Sequence, residues 1–294
     1  MLRHLIPSFV VAALGVQPLS AKALPPPTLL TPSGKWAVEY AKDMCALNRS
    51  FGTGADQMVL AIKPAPNSDQ ARIMVLRKAP EDQIRRGTAD VKFSDGSAPA
   101  YAMASSGWAN GMSLTAIDLP RSSLKPLVEG GTISIRFGRG LNHVFAPTGM
   151  AAAIAALGKC ERDLLKGWGM SEAAQDAIGQ LPTIKYQGLF NSSDYPTKLL
   201  DSGVQGSVGA LLSVDANGSV ADCRVIEKSR SEVLDKATCS IFEKRAHYRP
   251  AIDKSGKPVP ALTYFRVNWM IDTGGVPDSV TKSAPPPPPM VPNG

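Results

Sequence analysis

The 294-residue chain is short of the side chains that usually carry chemistry, with three histidines, four cysteines and only 6% aromatic residues. No cysteines form a CxxC pair, and His143 and His247 are the only histidines after His4. A zinc site needs several such ligands close together, so no metal is expected. No GxSxG elbow occurs, and Ser105-Ser-Gly107 reads as a turn. Gly138-Arg-Gly140 lacks the third glycine and the strand–helix context of a dinucleotide loop, and reads as a hairpin. His143 reads as a loop histidine and His247 as the end of a helix. No catalytic residue and no cofactor are expected, and the chain reads as a non-enzyme.

Charge is sparse as well. Charged residues make up 19%, and the net charge of +7 contains no Lys/Arg block. A nucleic-acid binder concentrates its cations in a stripe or tail, so a weakly cationic solvated surface is expected instead. No apolar run approaches the ~20 residues that cross a bilayer as a helix, which excludes a multi-span protein.

Proline (25) and glycine (26) are plentiful, which favours short strands and turns over a helical bundle. Met1-Leu-Arg-His is followed by the apolar run Leu5 to Val16 and by Leu19-Ser-Ala-Lys-Ala23. A basic start, a short apolar core and a small-x-small end are the parts of a secretory signal. Residues 1–23 are therefore expected to be removed near Ala23, which takes Arg3 and Lys22 out of the charge excess. The alternative is an inner-membrane anchor, but Pro7, Gly15 and Pro18 interrupt the run. In an oxidising compartment four cysteines suggest two disulfides, with three possible pairings.

Residues 24–35 read as an extended lead-in. From 36 to 168 the chain shows brief alternating segments, such as Met58-Val-Leu-Ala-Ile62 and Thr132-Ile-Ser-Ile-Arg-Phe137, cut by Gly, Pro and Asp turns. The period of two predicts antiparallel strands in a small sandwich or open barrel. A helix from Thr148, as N-cap, closes this region, with Ala153, Leu157, Cys160 and Leu164 on one face. Cys160 then points at the sheet, and Cys45, after the first strand, is its expected disulfide partner. Residues 169–189 read as a linker with one helical turn. The tail 273–294 contains Pro285 to Pro289 and is expected to be disordered.

Residues 190–272 carry the specific signal. Tyr195-Pro is followed by Gly203-x-Gln-Gly206-x-Val208, Val214-Asp-Ala-Asn-Gly-Ser-Val220 and Val225-x-x-x-Ser229. Leu234-Asp-x-Ala237, Arg249-Pro-Ala251 and Gly256-x-Pro-Val259 complete the series. This succession resembles the C-terminal domain of the TonB family. Alternation at Val208, Ala210, Leu212 and Val214, a turn at Gly218, a helix from Ser231 and a last strand from Val259 predict a two-layer unit. Its three-stranded antiparallel sheet is covered on one face by helix. The whole chain is thus expected to be α+β, a helix-closed β domain followed by this unit. Cys239 stands where the family has an aliphatic residue on the buried side of the helix. Cys223 on the second strand is its expected partner.

The resemblance implies a periplasmic protein of TonB-dependent transport that binds an outer-membrane transport receptor or another envelope protein. The family docks an extended receptor peptide against an exposed strand edge. Val259, Tyr264, Val267 and Trp269 mark that edge here. Family transducers place a Pro-rich spacer before this domain, whereas here Pro285 to Pro289 follow it and a folded domain precedes it. The alternative expectation is therefore an envelope adaptor or structural protein that uses the docking unit without transducing energy.

Overall fold

The alternating segments of the first half form strands in the computed structural model, which describes residues 25–79, 85–138 and 140–271. The expected signal segment 1–23 and the Pro-rich tail 273–294 lie outside the described residues. The first half contains β1 (Thr28–Leu30), β2 (Ala37–Tyr40), β3 (Cys45–Phe51), β4 (Met58–Pro64), β5 (Gln70–Lys78) and β6 (Arg85–Thr88). It continues with β7 (Asp90–Phe93), β8 (Met103–Ala109), β9 (Met112–Pro120), α1 (Lys125–Val128), β10 (Ile133–Phe137), β11 (Leu141–Phe145) and α2 (Met150–Gly167).

Two sheets share one core. The larger has seven strands in the order β2-β3-β4-β5-β9-β8-β6, all antiparallel. The smaller runs β1-β11-β10-β7, and the lead-in strand β1 lies parallel to β11. Leu47, Leu60, Ile62, Ile73 and Ile117 from the large sheet meet Val91, Ile133, Ile135 and Phe145 from the small one. Every second residue of β5 (Ala71, Ile73, Val75) enters this core, which leaves Arg72 and its alternates on the outer face.

Helix α2 closes the domain through Met150, Ala153, Leu157, Cys160 and Leu164. Cys160 is bonded to Cys45. The helix does not take Thr148 as its N-cap. Gly149 caps it at φ 71, and the Thr148 carbonyl accepts hydrogen bonds from Trp36 Nε1 (2.8 Å) and Arg49 Nη1 (2.6 Å). A second correction concerns Ser105 to Gly107, which lie inside β8 and not in a turn. Cross-strand pairing with β9 on one side and β6 on the other extends these small residues. The hairpin expected around Gly138 and Gly140 joins β10 to β11. His143 lies on β11, half-buried and paired through its backbone with Ile135.

The second half contains α3 (Glu172–Ala177), β12 (Ile178–Gln180), β13 (Thr183–Ile184), α4 (Thr197–Asp201), β14 (Gly206–Val214) and β15 (Val220–Glu227). After these come α5 (Glu232–Arg245), β16 (Tyr248–Arg249), β17 (Ala251–Asp253), β18 (Pro258–Val259) and β19 (Ala261–Trp269). The stretch 169–189 is more than a linker. Its strands β12 and β13 pair with β17 and β16, so tertiary partners order residues that Gly179 and Pro182 would otherwise interrupt.

The central sheet of this half has the order β15-β14-β19, antiparallel throughout. One face is covered by α5, whose Leu234, Ile241 and Phe242 pack on Val208, Ala210, Leu212 and Val267. Cys239 on α5 is bonded to Cys223 on β15. The chain is thus α+β, with a β-rich first half and a three-stranded antiparallel sheet in the second.

Candidate functional site

The edge residues expected from sequence do not share one strand. Val259 belongs to β18 and pairs with Ala251 of β17, in a different sheet from β19. Pro260 stands between the two strands, and its missing N–H cannot continue a ladder. Tyr264, Val267 and Trp269 lie on β19, which has β14 on one side and, among the described residues, no strand on the other. Val267 and Trp269 turn towards α5, where Trp269 Nε1 donates to Thr238 Oγ1 at 2.8 Å. Tyr264 turns to the opposite face and is 3% exposed.

Hydrogen bonds fix which backbone groups of β19 point away from β14. The amide of Tyr264 donates to the carbonyl of Pro66 (3.1 Å), and that of Arg266 to Oε1 of Gln70 (3.1 Å). The carbonyl of Leu262 accepts from Asn67 Nδ2 at 3.0 Å. By strand alternation the amides of Phe265 and Val267 face β14 instead. Three outward groups of β19 are therefore bonded by the turn between β4 and β5 and by Gln70 at the start of β5.

The face that carries Tyr264 meets charged groups from both halves of the chain. Lys63, Arg72 and Asp118 stand in register across β4, β5 and β9 and form a row on the outer face of the large sheet. Arg72 holds Asp118 through two bonds of 2.7 Å. Opposite them, Arg266 holds both oxygens of Glu227 (2.9 and 2.8 Å), and Tyr264 Oη donates to Glu227 Oε1 at 2.6 Å. Lys63 Nζ reaches Glu227 at 2.7 Å, and Asn268 Nδ2 donates to Asp118 Oδ2 at 3.0 Å.

These carboxylates keep their charge despite burial. Desolvation pushes Glu227 up, but the Arg266 and Lys63 charges outweigh it and hold the carboxyl well below the usual range. Desolvation acts the same way on Asp118, and Arg72 and Arg266 pull it below its ordinary value. Burial also draws the Lys63 ammonium down, with Glu227 partly restoring it. The cluster is an electrostatic seam, and its groups are bonded to one another.

Gly209 on β14 makes the packing of Tyr264 feasible. A Cβ at this position would stand 2.1 Å from Tyr264 Oη and 2.9 Å from Glu227 Cβ. Gly209→Ala is expected to lower the unfolding free energy by about 1–3 kcal/mol through forced displacement of the ring. Urea denaturation of the two proteins measures it, and an unchanged midpoint excludes this role for the glycine.

Residues 191–271 match the family model described as the Gram-negative bacterial TonB protein C-terminal. They form a TonB C-terminal domain. No curated protein and no solved structure matches the chain. The matched span begins just before α4 and ends two residues beyond β19, so it contains the sheet, α5 and the edge of the TonB domain.

The other edge of the TonB sheet is β15. It borders an open cleft of about 580 Å³ with Tyr40, Lys42, Asp43 and Trp168 on the far wall and Val225 and Ile226 on the near one. Arg224, next to Val225 on β15, donates to the carbonyl of Trp168 at 2.8 Å. Among the described residues no group of three potential metal ligands occurs, and no helix is long and apolar enough to cross a membrane.

Sequence reasoning missed Lys63, Arg72, Asp118, Glu227 and Arg266. A polar residue among the alternating apolar ones of β4, β5 and β9 was the available signal, but nothing in one strand says which strand it meets.

Proposed function

We propose that the protein works in the periplasm in TonB-dependent transport, where its TonB domain docks an extended segment of an outer-membrane receptor by strand pairing on the outer side of β19. The observation that carries this reading is the polarity of that edge. Two amides, of Tyr264 and Arg266, and the Leu262 carbonyl point away from β14, the amides donating to and the carbonyl accepting from groups outside their own sheet. Backbone pairing of this kind supplies affinity with little demand on side-chain identity, while alternate side chains of the incoming strand select the partner. The leader-like N-terminus and the two disulfides support an oxidising, exported setting.

A second reading is favoured by one feature, the eleven-stranded domain that precedes the TonB domain and packs against its sheet. In that reading the protein is an envelope adaptor that uses the same docking edge without transmitting force.

The test is amide-resolved NMR of the full chain titrated with synthetic peptides from receptor N-termini. Docking on β19 is expected to shift the amides of Tyr264 and Arg266 and those of the turn at 65–70, with smaller changes on β15. Peptides that leave every β19 amide unmoved at millimolar concentration rule the docking reading out.

A further inference from the structure

Strand pairing places an incoming backbone about 4.8 Å from the edge it joins. On the outer side of β19 that space is occupied. Pro66 and Gln70 accept from the outward amides of Tyr264 and Arg266, Asn67 donates to the Leu262 carbonyl, and Thr263 Oγ1 donates to the Asn67 carbonyl at 2.7 Å. We infer that the N-terminal domain is an intramolecular cap on the TonB domain: its turn at 65–70 stands in for the receptor strand and must leave before one can dock. The inference rests on the docking reading above and adds its regulation.

The turn is shaped for the contact. Asn67 holds φ 52, a left-handed conformation that asparagine tolerates better than most residues. In that conformation both its carbonyl and its side-chain amide reach β19. Around it the charged seam adds two ion pairs across the domains, Lys63 to Glu227 at 2.7 Å and Arg266 to Asp118 at 4.0 Å, and one hydrogen bond, Asn268 to Asp118.

The seam is also built to part. Arg72 and Asp118 both belong to the N-terminal domain and keep their bidentate pair when the domains separate. Arg266, Tyr264 and Glu227 all belong to the TonB domain and keep theirs. Arg266 and Asp118 lose their 4.0 Å contact but keep Glu227 and Arg72, so only Lys63 is left without a counterion, and an ammonium released to water carries no burial penalty. Neither disulfide crosses between the domains. Opening therefore exchanges hydrogen bonds for water and uncovers the apolar contact of Leu165 and Met170 with Ala251 and Ala261, but it strands no buried charge, and a receptor strand then restores the ladder.

A capped site shows an apparent dissociation constant raised by the inverse of its open fraction. The test compares the full-length protein with its K63E/N67G variant. Glycine accepts the positive φ at position 67 while removing the side-chain bond to Leu262. Glutamate at 63 opposes Glu227, yet stands directly across from Arg72 on β5 and so finds a partner within its own domain.

In the native protein, hydrogen exchange at Tyr264 and Arg266 is expected to be slow, like that at Phe265 and Val267. In the variant the first two amides are expected to exchange about tenfold faster or more, with the second two unchanged. A receptor N-terminal peptide is expected to bind the variant about tenfold more tightly. Unprotected amides at 264 and 266 in the native protein overturn the cap whatever the variant does. Equal peptide affinity for the two proteins also overturns it, since the peptide then docks elsewhere, with β15 beside its open cleft the first place to look. Absence of binding to either protein defeats the docking reading, and the cap with it.

Discussion

Replacing Cys45 and Cys160 together by alanine is expected to lower the unfolding free energy of the N-terminal domain by about 5 kcal/mol in the loop-entropy model. The bridge joins residues 115 positions apart, and both cysteines are buried, at 3% and 2% exposure. It ties the start of β3 to the middle of α2, the helix that covers the shared core. The Cys223–Cys239 bridge closes a separation of only 16, and its removal by the corresponding change is expected to cost about 3 kcal/mol, in the TonB domain. Differential scanning calorimetry reads both. A shift of the same size from either pair, or a loss below about 1 kcal/mol at 45–160, contradicts the assignment of that bridge as the main tie of its domain.

Glu227→Gln is expected to cost about 3–5 kcal/mol, the range for removing one partner of a buried ion pair. Without the carboxylate, Lys63 and Arg266, whose side chains are 12% and 7% exposed, face each other across the seam. Asp118 then lies 4.0 Å from Arg266 and is already held by Arg72. The pH dependence gives a second reading of the same group. The Glu227 carboxyl is held below the value it has in an unfolded chain, so its contribution is fully present above about pH 4.5 and is lost as pH falls through the folded value. The thermal midpoint of the native protein is expected to decline below about pH 4.5, and that of the glutamine variant to decline less. Parallel profiles for the two proteins show that another carboxylate, Asp118 foremost, governs the acid limb.

Much of the TonB domain was legible because its signals are local. Val208, Ala210, Leu212 and Val214 alternate on one strand, and Leu234, Ile241 and Phe242 share one helix face, so each pattern names its own buried side. The disulfide partners were legible for a related reason, since each pair links a strand to the helix that covers it. Alternation also made Val267 and Trp269 look like one face of an edge, but not which amides point outward. That depends on the register Val208 to Val267, which involves residues 59 apart. Pro260 broke a strand whose apolar alternation ran on across it. The seam was illegible altogether. Lys63, Arg72 and Asp118 become neighbours only through the pairing of three strands, and they meet Arg266 and Glu227 only when two domains pack.

The order of the cysteines along the chain bears on how the protein matures. The first pairs with the second and the third with the fourth. A chain that enters an oxidising compartment from its N-terminus presents Cys45 with no cysteine but Cys160 until residue 223 arrives. Oxidation in order of emergence therefore reaches the native connectivity directly, with no bond to break and reshuffle. For a chain exported in this way, of the two activities that disulfide catalysts supply, oxidation and isomerisation, only the first is required.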